Sequence, residues 1–389
     1  MTAGELEIDR DYLINTLAQL ICIESTNPSC TPQGTGETRI VEIIAQSMAG
    51  FGLEAEVHLL GQNRANAVGI LRGSGGGRSL MLNGHCDTVG VEGMPNPFTA
   101  EIHDGRMYGR GAHDMKGSLA ACLATAKALV DAGISLPGDL VIAAVADEEY
   151  KSLGTNDVIK RIHVDGAIVT EPSELRIALA HRGVVWLDVE TTGRAAHGSR
   201  YQEGVDAILH MGRLLGKLDQ LEKDLRVRPA HLLVGPPSMH TSRISGGSEW
   251  SIYPSHCKLQ IERRTLPGES PDQIVGEVQG IIDHLSRQDT AFKASLNVIS
   301  IQSAFEISPN AQIVHSLQES TQYVLKKEPT LGGVTFWTDA AILASAGVET
   351  VIIGPIGGGL HTSEEWVDLQ SLVDLAQILA QTAIIYCNS

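Results

Sequence analysis

Residues 80–87 read Leu-Met-Leu-Asn-Gly-His-Cys-Asp, and residues 140–149 read Leu-Val-Ile-Ala-Ala-Val-Ala-Asp-Glu-Glu. In both, an unbroken apolar run stops and side chains able to carry protons or bind cations begin. Apolar runs without polar alternation belong to strands buried on both faces, as in a sheet covered by helices. Residues 65–71, 167–169 and 351–353 repeat the pattern. Between these runs the apolar residues fall at helical spacing, over 9–22, over 38–52, and most clearly at Met115, Leu119, Cys122, Leu123, Ala126, Leu129 and Val130. Buried strands alternating with helices predict an α/β domain whose sheet is at least partly parallel.

Residues 183–303 follow another rule. Residues 184–190 alternate apolar with polar, as a half-buried strand does, and a helix is expected over 205–221. Strands at 241–244 and 258–263, a helix at 271–285 and a strand at 292–301 complete the order βαββαβ, a ferredoxin-like sandwich. The expected organisation is one catalytic α/β domain made from 1–182 and 304–389, with 183–303 inserted.

The 389 residues suit two or three domains, and a chain 43% hydrophobic and 19% charged is globular. Lys and Arg number 29 against 46 Asp and Glu, a formal net charge of −17. That balance argues against sequence-independent nucleic-acid binding and against docking on an anionic membrane. The six cysteines are scattered without a Cys-x-x-Cys pair, so neither a disulfide framework nor a zinc ribbon is expected. The opening MTAGELEIDRDYL lacks a basic segment followed by an apolar one, and no apolar stretch reaches the length of a membrane span. A soluble cytoplasmic protein is the expectation.

Polar residues collect where the apolar runs end: His85 and Asp87, Glu148 and Glu149, Glu171, and His361 after a glycine-rich loop. Ligands of open α/β sheets bind outside the carboxyl ends of the strands, so these groups are expected to share a crevice. His85 and Asp87, one residue apart in extended chain, project to one side, where the carboxylate can fix the imidazole. Asp114, in Gly109-Arg-Gly-Ala-His-Asp-Met-Lys-Gly, would by itself be an ordinary helix N-cap. Of Glu148 and Glu149, one is placed to bind a metal and the other to act as general base. Two histidines with three carboxylates suit zinc or a similar divalent ion, and five ligands fit two ions about 3.5–4 Å apart sharing a carboxylate.

His85-x-Asp87, Gly-Arg-Gly-x-x-Asp114-Met-Lys-Gly, Asp-Glu148-Glu149, Glu171-Pro and the late His361 together resemble the dinuclear zinc metallopeptidase and deacylase family of aminoacylases, acetylornithine deacetylase, succinyl-diaminopimelate desuccinylase and carboxypeptidase G. The likeness spans nearly the whole chain. It implies a zinc-exopeptidase-like α/β/α catalytic domain with an inserted ferredoxin-like lid and dimerisation domain. It implies that Asp114 bridges two divalent ions, zinc or else cobalt or manganese, with His85 and Glu171 on one and Glu149 and His361 on the other. Glu148 would be the general base and Asp87 the partner of His85; His113, where relatives often carry a small residue, is given no role.

In the insert, Gly193-Arg-Ala-Ala-His197-Gly-Ser resembles the family segment whose histidine reaches the neighbouring subunit's site and stabilises the oxyanion. Arg264 matches the position that holds a substrate carboxylate, to which a guanidinium fork is suited. Ser251 stands where relatives often carry Asn, and lacks the amide donor; Trp250 and Tyr253 flank it. The resemblance therefore implies a homodimer that closes about a hinge and hydrolyses an amide bond in a small carboxylate-bearing substrate. An N-acyl amino acid is the first expectation and a short peptide, cleaved by an exopeptidase, the alternative. A non-catalytic metal-containing binding protein is the rival of another class. A serine hydrolase is disfavoured because Gly-x-Ser-x-Gly is absent from the sequence.

Overall fold

The apolar runs do form the central strands. In the computed structural model, which describes residues 6–389, Leu80–His85 and Leu140–Val145 are buried at every position. The first five residues of the acidic N-terminal stretch lie outside the described part. Two compact units make up the chain: one comprises the residues up to Leu179 with Ile307–Gly332 and Thr338–Ser389, the other Ala180–Glu306 with Gly333–Trp337.

In the first unit the sheet runs in the order Glu54–Gly61, Arg64–Leu71, Leu140–Val145, Leu80–His85, Gly166–Val169, Glu349–Ile352, then Ile177–His181, which leads out of the unit. Leu80–His85 is parallel to both its neighbours, and Gly166–Val169 is parallel to Glu349–Ile352. The remaining pairings in this order are antiparallel, so the sheet is mixed. Gly117–Asp131 is buried along nearly its whole length because it packs between the sheet and the helices Arg10–Ile21 and Leu369–Tyr386. The edge strand Glu54–Gly61 escapes the search for apolar runs: its residues are exposed or half-buried throughout.

A second, small sheet pairs Gly357–Gly358, Trp366–Asp368, Arg106–Tyr108 and Glu101–His103. Arg106 stacks its guanidinium 3.9 Å from the centre of the Trp366 ring. This sheet joins two loops distant in sequence, one leading into the turn around Asp114 and the other carrying His361.

The second unit is a four-stranded antiparallel sheet in the order Ser238–Gly246, His256–Thr265, Gly183–Thr192, Lys293–Gln302. Helices Ala207–Arg226 and Pro271–Gln288 begin at side-chain caps, Asp206 onto Leu209 N–H and a reciprocal Ser270–Gln273 box. Their apolar stripes, Met211, Leu214 and Leu218 with Ile274, Val278 and Ile282, meet Leu187, Val189, Leu259 and Ile261 of the sheet. This is the βαββαβ order expected from periodicity. None of the described helices is long and apolar enough to cross a membrane.

Candidate metal centre

Five chain segments supply the site, three of them at the ends of strands of the mixed sheet. His85 closes its own strand, Glu148 and Glu149 follow Leu140–Val145, and Glu171 follows Gly166–Val169. Asp114 lies in the irregular turn Ala112–Lys116 that opens helix Gly117–Asp131. His361 sits on the loop after Gly357–Gly358, with a left-handed φ of 59°.

Asp114 occupies the middle. One carboxylate oxygen lies 2.9 Å from His85 Nε2 and the other 3.2 Å from His361 Nε2. Glu149 Oε2 is also 3.2 Å from His361 Nε2. On the other side Glu171 Oε1 is 3.6 Å and Glu148 Oε2 4.0 Å from His85 Nε2. The sequence-predicted ligands and the predicted base are thus brought together, with every group but His361 buried or nearly so.

So many acids in so little space perturb one another. Burial, and then the charge of Glu171, pushes the Glu148 carboxyl well above the usual range. Burial does the same to Glu171, against the pull of His85, with Asp114 and Glu149 adding to the rise. Against the effect of burial, the hydrogen bonds from His361 and His85 hold Asp114 below its ordinary value. The hydrogen bonds that His361 donates to Asp114 and Glu149 raise it to about 10.

Divalent cations fit this donor set on three observations. Ligand atoms of His85, Glu148 and Glu171, and of His85, Asp114 and Glu149, lie within 4.8 Å of one another. The Glu149 Oε1 atom is buried with no hydrogen-bond partner. Donors bound about 2.0–2.1 Å from a tetrahedral ion stand about 3.3 Å apart, the range the His85, Asp114, Glu149, Glu171 and His361 atoms occupy. Nitrogen and carboxylate oxygen without thiolate suit a divalent ion.

Asp87 serves the site differently from the expectation. His85 Nδ1 faces the Asp87 backbone oxygen at 2.9 Å, while the carboxylate stands 3.7 Å away. The carboxylate instead accepts the backbone N–H groups of Glu148 and Glu149, at 3.1 and 3.2 Å, and the Asn27 amide at 2.7 Å. Asn27 also donates to Asp147, which with Glu37 flanks the buried Arg64. Asn27 and Arg64 carry no sign in the sequence, because a buried ion network has no spacing rule; Asp147 stands among the polar residues that end its apolar run, but nothing there gives it a role. His113 is buried, with its ring packed against Gly357.

The second unit holds the other residues singled out. His197 is exposed and its Nδ1 takes a hydrogen bond from the Ser199 backbone N–H. Arg264 donates from Nε to Glu262 at 2.6 Å. At Ser251 the backbone carbonyl accepts the Gly198 N–H at 2.7 Å, so this strand contact needs no side-chain amide. Trp250 is fully exposed, whereas the Tyr253 ring packs over Gly204.

Paired histidines on a shared carboxylate, ringed by further acids at the carboxyl ends of strands, define a metal-dependent hydrolase. The chain belongs to Peptidase family M20/M25/M40, whose pattern it matches over residues 81–384. It is 29% identical to an N-formyl-4-amino-5-aminomethyl-2-methylpyrimidine deformylase of Bacillus subtilis, covering 83% of each chain. It is 28% identical to the acetylornithine deacetylase of Myxococcus xanthus, covering 96% of this chain and 97% of the relative. Among solved structures it is similar in fold to a tripeptidase from Staphylococcus aureus, with TM-score 0.82, 21% identity and coverage of 98% and 100% of the two chains. A metallo-carboxypeptidase of the M20 family from Sulfolobus solfataricus gives TM-score 0.79 at 16% identity, covering 97% of this chain and 99% of that one.

Proposed function

We propose that this hydrolase removes an acyl group from the amine nitrogen of a small, carboxylate-bearing substrate, an N-acyl amino acid. The observation that carries the reading is Asp114 with an imidazole at each oxygen and Glu148 within 4.0 Å of one of them. His85 and Glu171 would hold one cation, Glu149 and His361 the other, and Asp114 both; zinc suits the donors best. Bound there, the ions supply Lewis-acid polarisation of the scissile carbonyl and a lowered pKa for water.

The remaining chemistry falls to the chain's own groups. Glu148 takes a proton from the attacking water and delivers it to the leaving amine, so the amide and one water become a carboxylic acid and an amine, which exchange a proton to leave as carboxylate and ammonium. His197 opposes charge on the oxyanion, supplied across a homodimer built through the second unit, and Arg264 binds the substrate carboxylate. Both curated relatives described above, by their names, take an acyl group from an amine, which favours deacylation over exopeptidase action.

A panel of N-acetyl, N-formyl and N-succinyl amino acids alongside dipeptides tests the reading. Turnover of one acyl class above the dipeptides is expected; cleavage of dipeptides alone would overturn deacylation in favour of an exopeptidase. Absence of turnover across the panel, with metal bound, would overturn both N-acyl amino acids and dipeptides as the substrate class.

A further inference from the structure

Glu365 lies outside the proposed ligand set, yet its carboxylate is 1% exposed and saturated with donors. Oε1 accepts the backbone N–H groups of His113 and Asp114, at 2.9 and 3.0 Å. Oε2 accepts the N–H of Gly111 at 3.0 Å and Arg110 Nη1 at 2.6 Å. The turn that presents Asp114 is therefore hung, amide by amide, from one side chain. Arg110 extends the device: its Nη2 donates to the carbonyl of Thr362 at 2.9 Å and its Nε to that of Gly90 at 3.1 Å. Thr362 is the residue after His361. One buried ion pair thus grips both the turn that carries Asp114 and the loop that carries His361.

The two cation positions do not depend on it equally. His85 stands at the end of a fully buried strand, 1% exposed, and its Nδ1 is fixed by a neighbouring carbonyl. His361 is 52% exposed, on a loop in the left-handed region. We propose that Glu365 and Arg110 are positioning residues that set the reach of His361 to Asp114, and so govern affinity at the cation position of Asp114, Glu149 and His361. The proposal rests on the metal-centre reading above and deepens it.

Glu365→Gln is the discriminating change. A carboxamide nearly preserves size but has two donors on one end, and that end must face either two backbone N–H groups or the guanidinium with a third. Donor meets donor whichever way it turns. Full-length apo-protein would be titrated with Zn2+ by calorimetry, with Co2+ absorption as a second readout and apo-protein melting as the fold control. Wild type is expected to take up two ions. In Glu365→Gln one event should weaken at least tenfold, in the range typical for groups that orient ligands, while the other event holds, even though the apo Tm falls because Arg110 is left buried without its carboxylate. Arg110→Lys, which keeps the charge but loses the fork, should weaken the same event and stands in if the first variant fails to fold. Two events unchanged in both variants would overturn the proposal alone, as would equal weakening of both events, which marks a merely structural pair. A wild type unable to bind two ions would overturn the metal-centre reading, and the proposal with it.

Discussion

Glu148 and Glu149 are neighbours in sequence with separate tasks: Glu149 reaches His361, and Glu148 stands on the His85 side. The turn that parts them is held by the Asp87 carboxylate through both their N–H groups. Glu148→Gln should lower kcat about 100- to 10,000-fold, the usual weight of a general base, with metal content unchanged by elemental analysis. Full activity in that variant would remove Glu148 from the mechanism. Arg64 makes the sharpest case for stability: it lies between Glu37 and Asp147, at 2.7 and 2.6 Å, and is itself buried. Arg64→Met leaves two acids buried without their cation and should cost about 3–5 kcal/mol in denaturant unfolding. At this scale the clustering of His85, Asp114, Glu149, Glu171 and His361 was legible because a metal would demand such side chains near the ends of strands. Asn27, Arg64, Arg110 and Glu365 were not, since each acts through side-chain hydrogen bonds or ion pairs that no local spacing announces.

Elements were easier to read wherever one period dominates. The helices of the second unit show their stripes plainly, and Pro271–Gln288 starts at the residue where the sequence reading put it. Leu214, fully buried between helix and sheet, is a fair test of that core: Leu214→Ala should lose about 2–5 kcal/mol, measured by urea unfolding. A loss below about 1 kcal/mol would mean that the stripe does not carry the core. Two elements hid from periodicity. Glu54–Gly61 is an edge strand with no fully buried position, so it lacks an apolar signature. The strands of the small sheet, at most three residues each, are too short to show a period, although they fix the loops beside Asp114 and His361.

For the whole molecule, the centre concentrates Asp114, Glu148, Glu149 and Glu171 with only two imidazoles to balance them. Removing bound cations with a chelator should abolish turnover and lower the Tm, and adding Zn2+ back should restore both. At a free ion concentration one hundred times Kd, each site adds about 2.7 kcal/mol to stability. A chelated protein with unchanged Tm and activity would speak against any resident metal. The homodimer proposed through the second unit is checked by light scattering at several concentrations; a monomer throughout would leave His197 without its assigned role.

The first unit is sewn from both ends of the chain, and this sets an order of events during synthesis. Glu349–Ile352 fills a gap between Gly166–Val169 and Ile177–His181, and His361 comes later still. On the ribosome the inserted βαββαβ unit is complete well before the mixed sheet of the first unit can close. A growing polypeptide therefore carries Asp114 for most of its translation with His85 but without His361, the second imidazole that faces it, and the enzyme gains its full set of donors only as its last helix emerges.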